Sequence, residues 1–88
     1  MAVKHVKTKT GFEIDVDEDC LDDAEVFDAL ADMQAGNAIA IPVVIDKICG
    51  AAKKALYDHC RLENGRVPLQ KVSDEIGEII EAINGKNS

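Results

Sequence analysis

The stretch Leu69-Gln70-Lys71-Val72-Ser73-Asp74-Glu75-Ile76-Gly77-Glu78-Ile79-Ile80-Glu81-Ala82-Ile83 carries the strongest pattern in the chain. On a helix, Leu69, Val72, Ile76, Ile79, Ile80 and Ile83 fall within about 100° of one another. Lys71, Asp74, Glu75, Glu78 and Glu81 occupy the opposite side. The spacing predicts an amphipathic helix opened by Pro68 and stopped at Asn84-Gly85, with Lys86-Asn87-Ser88 as a polar tail. Each such aliphatic contributes roughly 1.5–3 kcal/mol when buried, so this helix is expected to anchor the core. Gly77 flanks the stripe, costs about 1 kcal/mol relative to alanine, and is expected to admit a neighbouring backbone.

Working outward, Ala51 to Leu62 reads as a shorter helix with Ala52, Leu56 and Cys60 along one side. Glu63-Asn64-Gly65 is expected to close it in a left-handed cap. Gly50 separates it from a helix starting around Ile41, with Pro42 in the first turn, where a missing N–H costs nothing. Ile41, Val44, Ile45 and Ile48 share the inner face of that helix. Val43 projects between Asp46 and Lys47 on the outer side, and Ile39 points the same way. Apolar groups on an outer face form protein-binding patches, so Ile39 and Val43 are the candidate partner-binding residues. A first helix begins at Asp22, with Glu25 three residues on as in a capping box, and ends at Gly36. It sets Val26, Phe27, Leu30 and Met33 on the core and Glu25, Asp28 and Asp32 outward.

The segment ahead of it alternates. Phe12-Glu13-Ile14-Asp15-Val16 has the period of a strand with one buried face, and Val6, Thr8 and Thr10 alternate with His5, Lys7 and Lys9. Thr10-Gly11 is a turn signal, so the two runs form a hairpin whose basic first strand faces its acidic second. A lone hairpin is marginal and must pack on something helical. The expected fold is mainly α (α+β), a single domain over 1–88. It has a β-hairpin in 1–17, a bundle of about four helices within 22–84, and a tail at 85–88.

Composition narrows the function. Seventeen acids against ten lysines and arginines leave a net charge of −7, and residues 11–32 hold ten acids and no base. That balance argues against a nucleic-acid binder, which needs a basic face. No uncharged run is apolar enough to span a bilayer. Three cysteines with no signal peptide read as reduced cytoplasmic thiols. The acidic loop from Asp15 fails as an EF-hand, because Cys20 and Val26 stand where glycine and glutamate are needed. Cys20, Cys49, His59, Cys60 and His5 lack zinc-ligand spacing. His59 and Cys60 are adjacent on a helix and point apart, so neither activates the other. There is no phosphate-binding glycine loop and no Gly-x-Ser-x-Gly elbow. Ile41-Pro42-Val43 occupies the place of the Asp-Ser-Leu motif of an acyl carrier protein. The sequence therefore reads as a non-enzymatic protein without a cofactor.

Val6-Lys7-Thr8-Lys9-Thr10-Gly11-Phe12-Glu13-Ile14-Asp15-Val16, Leu21-Asp22-Asp23, Asn64-Gly65-Arg66-Val67-Pro68, Ser73 to Ile83 and the ending Lys86-Asn87-Ser88 together resemble the small tail assembly chaperones of long-tailed bacteriophages and prophages of Gram-positive bacteria. Ala24 stands where many relatives place a tryptophan. The resemblance implies a mainly helical, self-associating protein that binds the tape-measure protein and keeps it soluble while tail components assemble. It implies a location in the cytoplasm of an infected or lysogenic host and absence from the mature virion. One alternative is another small phage or prophage accessory protein of similar build acting by protein–protein interaction. One from another class is an acidic DNA mimic, although the bases interspersed through residues 47–71 break up the even charge that a mimic needs.

The resemblance also implies a longer form made by −1 frameshifting. Gly85-Lys86-Asn87 can be encoded GGA-AAA-AAC, which contains the slippery heptamer A-AAA-AAC. The gene is expected to carry that heptamer with an open −1 frame running past the Ser88 codon. AAG at Lys86 together with an early −1 stop would eliminate slippage at this site.

Overall fold

The computed structural model describes residues 2–84, so the tail at 85–88 and the slippage codons lie outside the described residues. The chain is a mixture of strand and helix. An antiparallel hairpin of β1 (Val3–Lys7) and β2 (Glu13–Asp17) comes first. Three helical stretches follow: α1 (Ala24–Gln34), a broken stretch made of α2 (Ala40–Cys49) and α3 (Lys53–Cys60), and α4 (Leu69–Ile83). The expected count of about four helices is thus met approximately, with two of them joined through a 3₁₀ turn at Gly50–Ala52.

The hairpin turns where the threonine–glycine signal places it. Gly11 N–H donates to the Thr8 carbonyl and Thr8 N–H to the Phe12 carbonyl, with Gly11 at φ 96°. A type I turn closed by a left-handed residue has this pattern, and glycine takes that conformation without a Cβ penalty. Register pairs Val6 with Ile14 and His5 with Asp15. Val6, Thr8, Phe12, Ile14 and Val16 are buried, and the opposite face is open. The cross-strand ion pairs belong to His5 rather than to the lysines. Its Nδ1 lies 2.7 Å from Asp15 and its Nε2 2.8 Å from Glu13.

Local corrections cluster at the helix ends. Asp23, not Asp22, caps α1, its carboxylate accepting from the N–H groups of Glu25 and Val26. α3 stops at Cys60, earlier than expected. Gly65 does not cap it but closes a separate turn in which Leu62 N–H donates to the Arg66 carbonyl and Gly65 N–H to the Leu62 carbonyl. Arg61 braces that turn, donating to the Gly65 carbonyl at 2.8 Å while pairing with Asp58 at 3.0 Å. Space around Gly77 is open, so no backbone approaches it there.

One core joins all elements, with Val26, Val44, Ile45, Leu56, Ile76 and Ile79 most deeply buried. α2 packs against α1, β2 and α3, while α4 packs against β1 and α3. The inner face read for α2, Ile41, Val44, Ile45 and Ile48, is buried in full. On α4 the buried residues are Val72, Glu75, Ile76 and Ile79, whereas Leu69 is exposed and Ile80 and Ile83 are only half-buried. Burial is therefore rotated by about 40° from the aliphatic stripe, toward Glu75. On α1, Val26 and Ala29 are buried but Phe27, expected in the core, is 67% exposed.

Replacing Ile76 with Asp puts an unpaired carboxylate where the side chain has no solvent contact. Ile76→Asp is expected to cost about 3–5 kcal/mol, read as loss of the urea unfolding baseline or a collapsed melting temperature. A second expectation concerns pH. Asp15 and Glu13 raise the His5 pKa above its usual 6.5. A folded-state pKa above the unfolded one gives a contribution that is complete below about pH 6.5 and lost as pH rises through the folded value. His5→Gln should therefore lower the melting temperature at about pH 5.5 and leave it nearly unchanged near pH 9.

Candidate functional site

Ile39 and Val43 stand where the periodicity places them. Ile39 occupies the N-cap of α2 and is 82% exposed; Val43, one turn on, is 44% exposed. The Asn37 side chain accepts the Ile39 N–H, and the inner residues on either side are held in the core, so the pair is presented on a fixed helix end.

A second apolar surface was not anticipated. α1 and the C-terminal part of α4 flank a groove of about 500 Å³, lined by Leu21, Phe27, Leu30, Ala31, Gln34, Ile80 and Asn84. Among the described residues, no lysine or arginine lines it. The sequence signal was the wheel position of Phe27, at the edge of the α1 stripe and about 100° from Val26.

A polar cluster ties the hairpin turn to α3 and α4. The Thr10 hydroxyl donates to Glu75 Oε2 at 2.7 Å. With its proton so committed, the Thr10 oxygen accepts from His59 Nε2, 2.8 Å away, and from the Thr8 hydroxyl at 3.2 Å. Lys9 N–H donates to Glu78 Oε1 at 2.9 Å, giving the turn a second carboxylate anchor on α4. His59 also lies against Phe12, with ring centroids 5.4 Å apart. Glu75 is only 4% exposed, and its Oε1 has no hydrogen-bond partner among the described residues. Glu75 was expected on the outer side of its helix, and its burial is the largest departure from the sequence reading.

Beside this cluster lies a cleft of about 430 Å³ backed by Cys60 and Lys71. Burial and the nearby Glu75 charge raise the Cys60 thiol above its usual pKa, with Lys71 opposing them. Such a thiol stays protonated and is a weak nucleophile. His59 is engaged with Thr10. Burial pushes the Cys49 thiol to about 11, and the Cys20 thiol is raised by its own burial and by Asp17. Among the described residues, no group of three or more His, Cys, Asp or Glu side chains is placed to hold a metal ion. None of the described helices is long and apolar enough to cross a membrane.

The Thr10–Glu75 bond is open to test. Thr10→Val leaves both Glu75 oxygens buried without a donor and is expected to cost about 1–3 kcal/mol in urea unfolding. The same change made in a Glu75→Gln background should cost less, because a neutral amide is cheaper to leave unpaired than a carboxylate.

Comparison of the chain with protein-family models, with curated proteins and with solved structures finds no match in any of the three.

Proposed function

We propose that this protein is a non-enzymatic protein-binding module, and that it acts as a phage tail assembly chaperone. In that role it binds the tape-measure protein and holds it in solution while tail components assemble. The observation that carries the reading is apolar surface on an acidic protein: Phe27, Ile39 and Val43 stand exposed on helices whose other faces are packed. Apolar patches rimmed by charge serve protein contact. A holding protein needs apolar area to cover its client and net charge to keep the complex dispersed, and −7 on 88 residues supplies the second.

The resemblance supplies the finer identification. The segments that carry it include the hairpin, the cap of α1, the turn ahead of α4 and α4 itself. Partners under this reading are the tape-measure protein, other tail components and further copies of the chain. Its place is the host cytoplasm, outside the finished virion.

Co-expression with the tape-measure protein encoded nearby, followed by pull-down, tests the proposal. The wild type is expected to capture it. Changing Ile39 and Val43 together to Ser should reduce capture while shifting stability by no more than about 0.5 kcal/mol, as exposed positions do. Undiminished capture by the double variant would remove these two residues from the interface. Absence of capture by the wild type would overturn the chaperone reading.

A further inference from the structure

We infer that the groove between α1 and α4 is the docking site for a basic amphipathic helix of a partner protein, distinct from the Ile39–Val43 patch. This assignment rests on the reading of the protein as an interaction module and names the surface and the chemistry of what it holds. Three observations support it.

The first is shape. Phe27, Leu30, Ala31 and Gln34 follow the spacing of one face of α1 over two turns, about 10 Å of helix. Ile80 and Asn84 form the opposite wall on α4. A trough of that length between two helices accepts a third, whose i, i+3 or i+4 and i+7 side chains become the anchors. The second is uncovered apolar area. Phe27 is two-thirds exposed, and Leu21, Leu30 and Ile80 are only partly buried, because the hairpin turn covers the opposite flank of α4.

The third is charge. Asp28 is exposed about 60° from Ala31 on the α1 wheel, and Glu81 is exposed about 60° from Asn84 on the α4 wheel, so one carboxylate flanks the groove on each wall. Neither carboxylate makes an ion pair among the described residues. By contrast, Glu25, on the other side of α1, is paired with Lys47 at 2.8 Å. An apolar floor with an unneutralised acidic rim is complementary to a helix with leucine-like residues on one face and lysine or arginine along its edges. The same rim repels an acidic helix of equal apolarity, which gives the groove its selectivity.

The probe is a fluorescent synthetic peptide of about 18 residues, five helical turns, built from leucine and lysine in amphipathic order. A leucine–glutamate peptide of the same pattern serves as its control. The full-length protein is expected to bind the lysine peptide, with amide shifts centred on Phe27, Ala31, Gln34, Ile80 and Asn84. Affinity should fall several-fold between about 0.05 M and 0.5 M salt, as screening shortens the reach of the rim charges. Phe27→Ser, at an exposed position, should weaken binding about ten-fold. Ala31→Arg, which sets a cation in the groove, should do the same without unfolding the protein. Ile39→Ser with Val43→Ser should leave peptide affinity unchanged.

Equal binding of the glutamate peptide would overturn the assignment. So would shifts centred on Ile39 and Val43, or full affinity in both groove variants. The outcomes also separate this inference from the chaperone reading. Peptide binding in the groove with no tape-measure capture overturns the chaperone reading and leaves the groove assigned. Tape-measure capture with no peptide binding overturns the groove and leaves the chaperone reading in place.

Discussion

A two-stranded hairpin has one apolar face and too few neighbours to stay folded in water, so everything here depends on how that face is covered. α2 covers it through β2 and α4 covers it through β1. The two helices are far apart in sequence, which makes the hairpin the element that draws them into one core. Val6, Phe12, Ile14 and Val16 enter the same buried cluster as Val44, Ile45, Ile76 and Ile79. α1 and α3 are attached to this frame, the first by packing on α2 and the second by packing on α2 and α4.

The hairpin turn has a second attachment, made of polar groups. Its Lys9 amide and Thr10 hydroxyl reach Glu78 and Glu75, one turn apart on α4, and His59 joins from α3. Burying a carboxylate without a cation is costly, and the hydroxyl donor offsets only part of that cost. The arrangement holds because the rest of the hairpin is already committed to the helices. Its consequence for the surface is direct. With the turn seated over the Glu75 flank of α4, the Ile80 flank has only α1 beside it among the described residues, and a groove results.

Chemistry and surface point the same way. The two side chains best suited to catalysis, His59 and Cys60, are occupied structurally: the imidazole donates to Thr10, and the thiol is raised by burial and a neighbouring carboxylate. What the molecule offers outward is apolar area on helix faces amid unneutralised acids. Under the proposed reading, such a surface binds another protein chain, with the acids selecting among partners and limiting non-specific association.

Strong local patterns were legible in the residues themselves. The alternation of Phe12 to Val16, the turn at Thr10-Gly11, the inner face Ile41, Val44, Ile45 and Ile48, and the outward Ile39 and Val43 follow from periods of 2 and 3.6 and from turn chemistry, which act over a few residues. The positions that escaped are those where two candidates stood side by side or where a distant element chose the flank. Asp23 rather than Asp22 caps α1 because capping depends on a single dihedral step. Phe27 and Glu75 both lie at the edges of their helical stripes. An edge residue is buried or exposed according to which neighbour arrives, and periodicity does not encode the neighbour. The hairpin turn, more than sixty residues before Glu75, covers that carboxylate, while nothing among the described residues covers Phe27. The sequence by itself determined the elements and the acidic, aliphatic character of the chain. Tertiary packing alone decided which edge of each helix was sealed and which was left open, because that is set by contacts between residues far apart in the chain.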